Sequence, residues 1–281
     1  MTKMILRMKN LTKNNIELLQ LPGLSRFCNI SHFITTRHGG VSSGNYGSMN
    51  PGLYTTDNPT AIKKNREILA EAINLPVEKI ITPHQVHKNE ILVLDNDFFK
   101  LSEESQIQKL NGIDALITNL PQICVTISTA DCVPVLLYAS DKQVVAAIHA
   151  GWRGTVLQIV RKTIQCMKER FQCNPLQIHA VIGPSISQEA FEVGNEVVEE
   201  FRNSNAWLKN DIDSLFWNNP KSNKTHIDLW KANEFQLLYE GIPLEQIENA
   251  KICTFKNYTD FFSARKIGID SGRILSGIFI H

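Results

Sequence analysis

The chain has 281 residues, 43% of them hydrophobic, and its 29 basic and 28 acidic side chains give a net charge of +1. This composition is typical of an ordinary globular protein with room for one large domain or two small ones. The near-zero net charge gives no indication of binding to nucleic acid or to an anionic membrane surface. No apolar run in the sequence is long enough to span a bilayer.

The N-terminal segment and the cysteines indicate the compartment. The apolar patch near the N-terminus is too short and too polar for a secretory signal peptide. The six cysteines include no CxxC pair, which is typical of a reduced, cytoplasmic protein. We therefore expect a cytoplasmic location, with most of the thiols buried as small core residues.

The first sixty residues contain few predicted elements. Residues 1–30 show little periodicity and are predicted to be a variable N-terminal segment. A short β-type run over residues 32–36 leads into a loop rich in Gly, Ser and Asn that extends to residue 59. Loops of this length often carry function. A surface loop closed by turns is the alternative, and we give it equal weight.

Helix and strand signals alternate in the next part of the chain. Apolar spacing predicts a helix over residues 60–73, with Thr60 as its N-cap. The polar stretch 95–110 is predicted to be a loop. Strands are predicted over residues 79–83, 91–94 and 114–119, and three more within residues 124–149.

The C-terminal half combines amphipathic helices with short strands. An amphipathic helix is predicted after Gly154, because apolar residues recur there every three or four positions. Asp228 is predicted to cap a helix that ends at Tyr239, and residues 202–225 are predicted to be a surface excursion. Further elements are predicted as a helix over residues 196–201 and strands over residues 177–182, 251–254 and 274–280. The pattern indicates one mixed domain with a large sheet core, spanning residues 1–281.

One thiol and two imidazoles lie beside predicted strand ends. Cys132 lies in the turn TADC, His149 lies just before GWRG, and His87 lies in PHQVHKNE. Such a set can form a three-ligand metal site with an open fourth position. The spacing is not that of a zinc finger, and a buried cysteine with a structural histidine is the alternative. A thiol hydrolase is another alternative, with Cys132 as nucleophile and His149 as base.

Arginines in glycine-containing loops indicate an anion site. Arg37 lies in the Gly-rich loop, and Arg153 lies just before a predicted helix N-terminus, where backbone N–H groups also favour an anion. Arg265 and Arg273 lie in the last loop. A guanidinium can bind two oxygens of a phosphate or a carboxylate. A solvated or structural role is the alternative for each arginine taken alone.

Several absent motifs narrow the chemistry. The sequence has no Walker loop and no GxGxxG after a strand, so a nucleotide cofactor is not indicated. The HxE and PCxxC signature of nucleobase deaminases is also missing. No HxH pair occurs among the eight histidines, which argues against a multicopper centre.

Several segments together resemble the laccase-domain family, also called the multicopper polyphenol oxidase or YfiH-like family. They are TTRHGGVSSGNYGSMN, HQVHKN, DALITN, STADCVPVLLY, AAIHAGWRGT, IGPSIS with FEVG, and FFSARKIG with SGR. The resemblance runs from about residue 35 to the C-terminus, and TADCVP followed by HAGWRGT is highly specific. It implies an α+β fold in which a mixed β-sandwich is flanked by helices, in four layers (α/β/β/α).

The resemblance also implies a metal and an activity. It implies a zinc site formed by His87, Cys132 and His149, with copper as the metal of the family's older name. The implied activity is phosphorolysis of adenosine, inosine, guanosine and methylthioadenosine to base and ribose 1-phosphate, together with adenosine deamination. Purine nucleosides and phosphate are therefore the expected partners. The alternatives are a Cys-His hydrolase or amidase that edits a peptidoglycan precursor, and a copper-dependent polyphenol oxidase.

Further roles follow for residues near the implied metal site. Arg37 and Arg153 are expected to bind phosphate, with Arg153 also taking part in catalysis. Asp131 is expected to act as an acid, a base or a partner of a metal ligand, and a turn residue is the equal alternative. Asn50 is expected to contact the substrate.

The sequence departs from the family pattern at two positions. Lys88 stands where the QVHG motif has glycine, which places a cation near the implied zinc site and is expected to affect substrate access. Ile267 replaces the usual acidic residue of the last loop, which leaves the role of that loop open. His84 precedes His87 by three residues and is not expected to be a ligand.

Overall fold

The computed structural model describes residues 8–10 and 16–281, and two sheets form its centre. In spatial order, the first sheet contains β1 (Met8–Asn10), β2 (Glu17–Leu19), β3 (Ile30–Thr35), β15 (Ile274–Ile280), β7 (Cys124–Thr129) and β4 (Ile80–Ile81). The second sheet contains β14 (Ile247–Asn249), β10 (Ile178–Ile182), β8 (Val133–Ala139), β9 (Val144–Ala150), β6 (Ala115–Thr118) and β5 (Ile91–Val93). A small sheet contains β11 (Glu192–Val193), β13 (Thr225–Ile227) and β12 (Phe216–Asn218).

The helices surround these sheets. They are α1 (Pro22–Ser25), α2 (Pro59–Ile73), α3 (Asn96–Phe99), α4 (Glu103–Leu110), α5 (Trp152–Val156), α6 (Ile159–Phe171), α7 (Asn195–Asn203), α8 (Leu229–Tyr239) and α9 (Ala264–Ile267). Within the described residues, none of them combines the length and the hydrophobicity needed to cross a membrane.

The two large sheets pack face to face, and each buries its outer face under helices. Successive side chains of a strand point to opposite faces of its sheet. Val125 of β7 and Val145 of β9 therefore meet between the sheets, whereas Ile148 of β9 packs outward in a cluster with Ile164 of α6. On the far side of the first sheet, Leu69 of α2 covers the outer face. This order of helix, sheet, sheet and helix confirms the predicted four-layer α+β fold.

Three predicted elements were wrong. Residues 95–110 were predicted to be a loop but contain α3 and α4. The single helix predicted after Gly154 is two helices, because Gln158 takes a left-handed conformation (φ 62°) between α5 and α6. The strand predicted over residues 251–254 is absent, and the strand of this region is β14, which ends before it.

The predicted domain organisation stays a prediction. Residues 1–30, predicted to be a variable segment, include residues 1–7 and 11–15, which lie outside the described part of the chain. The predicted excursion over residues 202–225 contains β12, which pairs with β13.

Candidate metal centre

The second sheet brings the three predicted metal ligands to one of its ends. Cys132 lies directly before β8 and His149 lies near the end of β9, and these two strands pair in antiparallel fashion. Asp114 lies directly before β6, the other neighbour of β9, and its carbonyl accepts a hydrogen bond from the His149 amide at 2.8 Å. His87 lies in the loop before β5, which runs parallel to β6. The strand register therefore gathers residues that are far apart in the sequence.

The ligand atoms of His87, Cys132 and His149 all lie within 4.8 Å of one another. The two imidazole rings meet edge to face, with centroids 4.7 Å apart. In a tetrahedral zinc site with usual bond lengths, the ligand atoms are about 3.4–3.6 Å apart. Small side-chain rotations would close this difference, so the donor set fits a zinc ion with three protein ligands.

Gly151 leaves room beside the side chains of the three ligands. A Cβ atom added to it would lie 3.2 Å from Cδ2 of His87, 3.3 Å from Sγ of Cys132 and 3.7 Å from Cε1 of His149. The backbone of Gly151 has φ −63° and ψ 166°, which any residue can adopt. The glycine is therefore needed for room beside the three ligands rather than for its conformation.

Asp114 holds two of the three ligands in place. Its carboxylate is fully buried, and Oδ1 accepts hydrogen bonds from Nδ1 of His149 at 2.7 Å and from the His87 amide at 3.0 Å. Oδ2 accepts from the amides of Lys88 at 2.8 Å and Val86 at 3.3 Å. Because a carboxylate only accepts, Nδ1 of His149 carries a proton, and Nε2 is the nitrogen that can bind a metal ion.

The electrostatics of the site favour a thiolate. Burial alone would raise the pKa of Cys132, but the charge of His149 and hydrogen bonds from His149 and His87 lower it to about 6. Burial likewise opposes the charge on His149, but the Cys132 thiolate and Asp114 raise its pKa to about 9. Both effects describe the metal-free pair. A thiolate and a neutral imidazole are the forms that bind zinc.

Two residues of the site have an unusual backbone conformation. His87 (φ 60°) and Asp131 (φ 88°) lie in the left-handed region, which costs a residue with a side chain about 1–3 kcal/mol. The Asp114 carboxylate holds the loop of His87. The carboxylate of Asp131 accepts hydrogen bonds from the Thr254 hydroxyl at 2.6 Å and the Arg265 amide at 2.7 Å. Asp131 thus anchors both the Thr254 segment and the start of α9 to the site.

The three ligands open into a cavity of about 630 Å³. This volume lies within the range of small-molecule sites, about 300–1,000 Å³. One wall is apolar and contains Trp152, Ile186, Phe191 and Leu229. Of the residues predicted for the site, five line this cavity: His87, Asp131, Cys132, His149 and Arg153.

Three arginines also line the cavity, and they differ in their contacts. Arg153 is exposed, and its guanidinium lies 4.2 Å from the centroid of the Trp152 ring. This guanidinium makes no hydrogen bond or ion pair with the described residues. Arg153 is the second residue of α5, whereas the sequence predicted it just before a helix. Arg265 donates one hydrogen bond to a backbone carbonyl. Arg273 binds three carbonyls of its own loop. Arg153 thus has the guanidinium with the most free donors.

Arg37 and Asn50 lie outside the set of residues that line this cavity. The Arg37 guanidinium donates to the carbonyls of Gly47 at 2.8 Å and Tyr258 at 2.7 Å. Asn50 is fully buried, and its Oδ1 accepts from the Arg273 amide at 2.9 Å. These contacts connect the Gly-rich loop to the last loop. Their predicted contacts with phosphate and substrate stay predictions.

The two departures from the family pattern lie at the margin of the site. The Lys88 side chain is exposed and, like Ile267 at the end of α9, is not among the residues lining the cavity. His84 does line the cavity, and its Nδ1 bonds to Oδ1 of Asn111 at 2.6 Å.

Sequence reasoning missed Asp114, Gly151 and Tyr54. Asp114 and Gly151 lie inside the family segments DALITN and HAGWRGT, so these segments were the available signal. Tyr54 lines the cavity, but it is one aromatic residue in a long loop and nothing in the sequence marks it.

Comparison with known proteins agrees with this geometry. A model of the family described as multi-copper polyphenol oxidoreductase laccase matches residues 31–281. A purine nucleoside phosphorylase of Bacteroides thetaiotaomicron is 44% identical over 274 residues, which cover 98% of this chain and all of that protein. Adenosine deaminase RL5, from an unknown prokaryotic organism, is 37% identical over 94% of this chain and 99% of its own length.

A solved structure supports the same family assignment. The crystal structure of the Bacillus licheniformis hypothetical protein YfiH superposes with a TM-score of 0.84 at 27% identity, covering 96% of this chain and 98% of that one. These matches confirm the resemblance found in the sequence. The chain therefore belongs to the multi-copper polyphenol oxidoreductase laccase family, which includes YfiH-like proteins.

Proposed function

We propose that this protein is a zinc-dependent purine nucleoside phosphorylase that also deaminates adenosine. One observation carries the proposal: the Cys132, His87 and His149 ligand set opens into a cavity in which the Arg153 guanidinium is unpaired within the described residues. The names of the Bacteroides relative and of adenosine deaminase RL5 support the same two activities. The substrates would be purine nucleosides and inorganic phosphate, and we keep a cytoplasmic location as part of the proposal.

The residues of the cavity suit these substrates. Zinc held by the three ligands would supply Lewis-acid polarisation of a substrate atom. Arg153 would bind two phosphate oxygens through its planar fork. The apolar wall that contains Trp152 and Phe191 would exclude water from the reacting atoms. Asp131, whose carboxylate binds the Thr254 hydroxyl and the Arg265 amide, would keep the Arg265 segment in place over the cavity.

A second candidate function has its own structural support. His149 links Cys132 to the buried Asp114 carboxylate, and this order of thiol, imidazole and carboxylate is that of a thiol hydrolase. Such an enzyme would use Cys132 as nucleophile and could act on an amide such as a cell-wall precursor. Tightly bound zinc would block the thiolate, so the metal content separates the two functions.

The test combines metal analysis with product analysis. Purified protein should contain about one zinc ion per chain and should release hypoxanthine and ribose 1-phosphate from inosine and phosphate. Cys132→Ala should lose both the zinc and the reaction, whereas the exposed Cys28→Ala should retain both. Undiminished phosphorolysis by metal-free Cys132→Ala would refute the proposal. If the protein instead contained copper and consumed oxygen with phenols as substrates, the result would favour a copper-dependent polyphenol oxidase.

The phosphate assignment has a separate measurement. Arg153→Ala should raise the KM for phosphate about tenfold or more, because a charge-assisted bidentate contact is lost. Arg202→Ala is the matched control, since Arg202 is exposed and pairs with Asp213 on the surface. An unchanged KM for phosphate in Arg153→Ala would remove Arg153 from the phosphate site.

A further inference from the structure

An aromatic pair lines the cavity on the Gly-rich loop side. The rings of Tyr54 and His84 are in contact in a tilted arrangement, with centroids 4.4 Å apart and planes inclined by 33°. Both residues line the same cavity as the three metal ligands. Tyr54 remains 47% exposed, although its ring covers a neighbour. Its hydroxyl makes no hydrogen bond with the part of the chain that the structure describes. This ring is therefore available to a bound molecule.

The His84 ring and the backbone beside Tyr54 are held by contacts that do not involve a ligand. Nδ1 of His84 bonds to Asn111, and the His84 amide donates to the Leu110 carbonyl at 2.9 Å. On the other side, the hydroxyl of Thr55, the residue after Tyr54, donates to the Gly52 carbonyl at 3.1 Å. That hydroxyl also accepts a hydrogen bond from Asn50 at 3.1 Å. The His84 ring and the segment that carries Tyr54 are thus ordered before any substrate arrives, which reduces the entropy cost of binding.

The other two large aromatic rings of the cavity already carry a cation. The Arg153 guanidinium lies 4.2 Å from the centroid of the Trp152 ring, and that of Arg265 lies 5.5 Å from the Phe191 ring. A base that stacked on either ring would have to displace its arginine. Within the described residues, no Arg or Lys side chain lies over the Tyr54 ring. Among these aromatic residues, Tyr54 offers the ring that needs no rearrangement.

We infer that Tyr54, supported by His84, is the platform on which the purine base stacks. This inference rests on the proposed function, because it concerns the same cavity. Planar heterocycles stack on aromatic side chains through their faces, and the contact tolerates different purines because every base has such a face. The platform therefore accounts for binding of several purine nucleosides by one cavity.

The test measures inosine binding by titration calorimetry on the metal-loaded protein. Loss of one base–aromatic stack weakens binding about 5- to 150-fold. Tyr54→Ala and Tyr54→Leu should therefore bind inosine at least about fivefold more weakly, whereas Tyr54→Phe should stay within about twofold of the parent. The KM for phosphate should not change in any of the three. Tyr54→Leu retains apolar bulk, so it tests stacking even where the alanine variant loses stability.

Tyr258→Ala is the matched control. Tyr258 is 40% exposed and lies under the Lys266 ammonium, outside the set of residues lining the cavity. Its substitution should leave inosine binding unchanged. If the parent binds inosine and Tyr54→Ala and Tyr54→Leu bind it equally well, the platform is refuted while the proposed function stands. If the parent binds no purine nucleoside, the proposed function fails and this inference fails with it.

Discussion

Replacement of Asp114 by asparagine tests how the metal centre is built. Asparagine has the same shape but only one acceptor oxygen, whereas the Asp114 carboxylate accepts four hydrogen bonds. If the amide oxygen faces His149, the NH2 group opposes the amides of Lys88 and Val86, and the loop of His87 is released. If the amide is turned around, the NH2 group opposes Nδ1 of His149 and forces the proton onto Nε2, the atom needed for the metal. Either orientation disturbs one imidazole ligand.

The magnitude follows from these contacts. Loss of a partner that orients a metal-binding histidine costs about 10- to 100-fold in metal affinity, which corresponds to about 1.4–2.7 kcal/mol. The metal-free protein should also lose about 2 kcal/mol of its free energy of unfolding. Two donors each lose their acceptor, and a buried donor without a partner costs about 1–3 kcal/mol. The loop of residues 86–88 is exposed, so water can reach its amides and the cost stays near the lower end of this range.

The assay is a zinc titration in competition with a chromophoric chelator at pH 7.5, with urea unfolding of the metal-free protein measured in parallel. Asp260→Asn is the matched control, because Asp260 also contacts a histidine, His38, at 3.1 Å, but on the surface. It should leave the zinc affinity unchanged. If folded Asp114→Asn binds zinc within about twofold of the parent, our account of how the ligands are positioned is incorrect.

Two further predictions concern space and pH. Gly151→Ala should weaken zinc binding about tenfold, because the added Cβ contacts all three ligand side chains and overpacking costs about 1–3 kcal/mol. Unchanged zinc affinity would show that the space is not used. Burial lowers the pKa of His32 to about 4, below the value of 6.5 in the unfolded chain, so unfolded protein takes up the proton first as pH falls. The free energy of unfolding of metal-free protein should therefore decrease by up to about 3 kcal/mol between pH 6.5 and 4, and urea unfolding of His32→Gln should lack this part of the decrease.

Strong local signals made part of the fold predictable from the sequence. Asp228 was predicted to cap a helix ending at Tyr239, and its side chain accepts a hydrogen bond from the Lys231 amide at the start of α8. The three strands predicted within residues 124–149 are β7, β8 and β9, because continuous apolar runs between turns are typical of strands buried on both faces. In these cases the information lies within a few neighbouring residues.

Weak periodicity explains the errors. Helix α4 buries none of its residues, so it has no apolar stripe to reveal it. Ser102 caps it, and the local signals were this cap, the acidic residues Glu103 and Glu104 in the first turn, and Lys109 in the last turn. Thr60 was predicted to be the N-cap of α2, but the cap is Asn58, whose side chain accepts from the Thr60 amide. Both residue types are good caps, so composition alone could not choose between them.

The candidate site was predictable only where a motif marked it. The positions of Cys132, His149 and His87 beside predicted strand ends permitted a ligand set, and the family resemblance implied it, whereas the role of Asp114 depends on pairing between β6 and β9. Asp114 is 27 residues from His87 and 35 from His149 along the chain. No local pattern encodes such a contact, because the strand register alone brings these residues together.

In the Gly-rich loop, a conspicuous sequence marked residues that hold the framework of the protein together. Its glycines and polar side chains drew attention to Arg37 and Asn50, yet the contacts of both are with other parts of the protein: Arg37 binds backbone carbonyls and Asn50 holds the Arg273 amide. The same anchoring places Tyr54 at the cavity. A buried, hydrogen-bonded framework is what allows a half-exposed ring to keep one position. Substitution of Asn50 should therefore weaken inosine binding, because its contacts with the Tyr54 segment and with the last loop are lost.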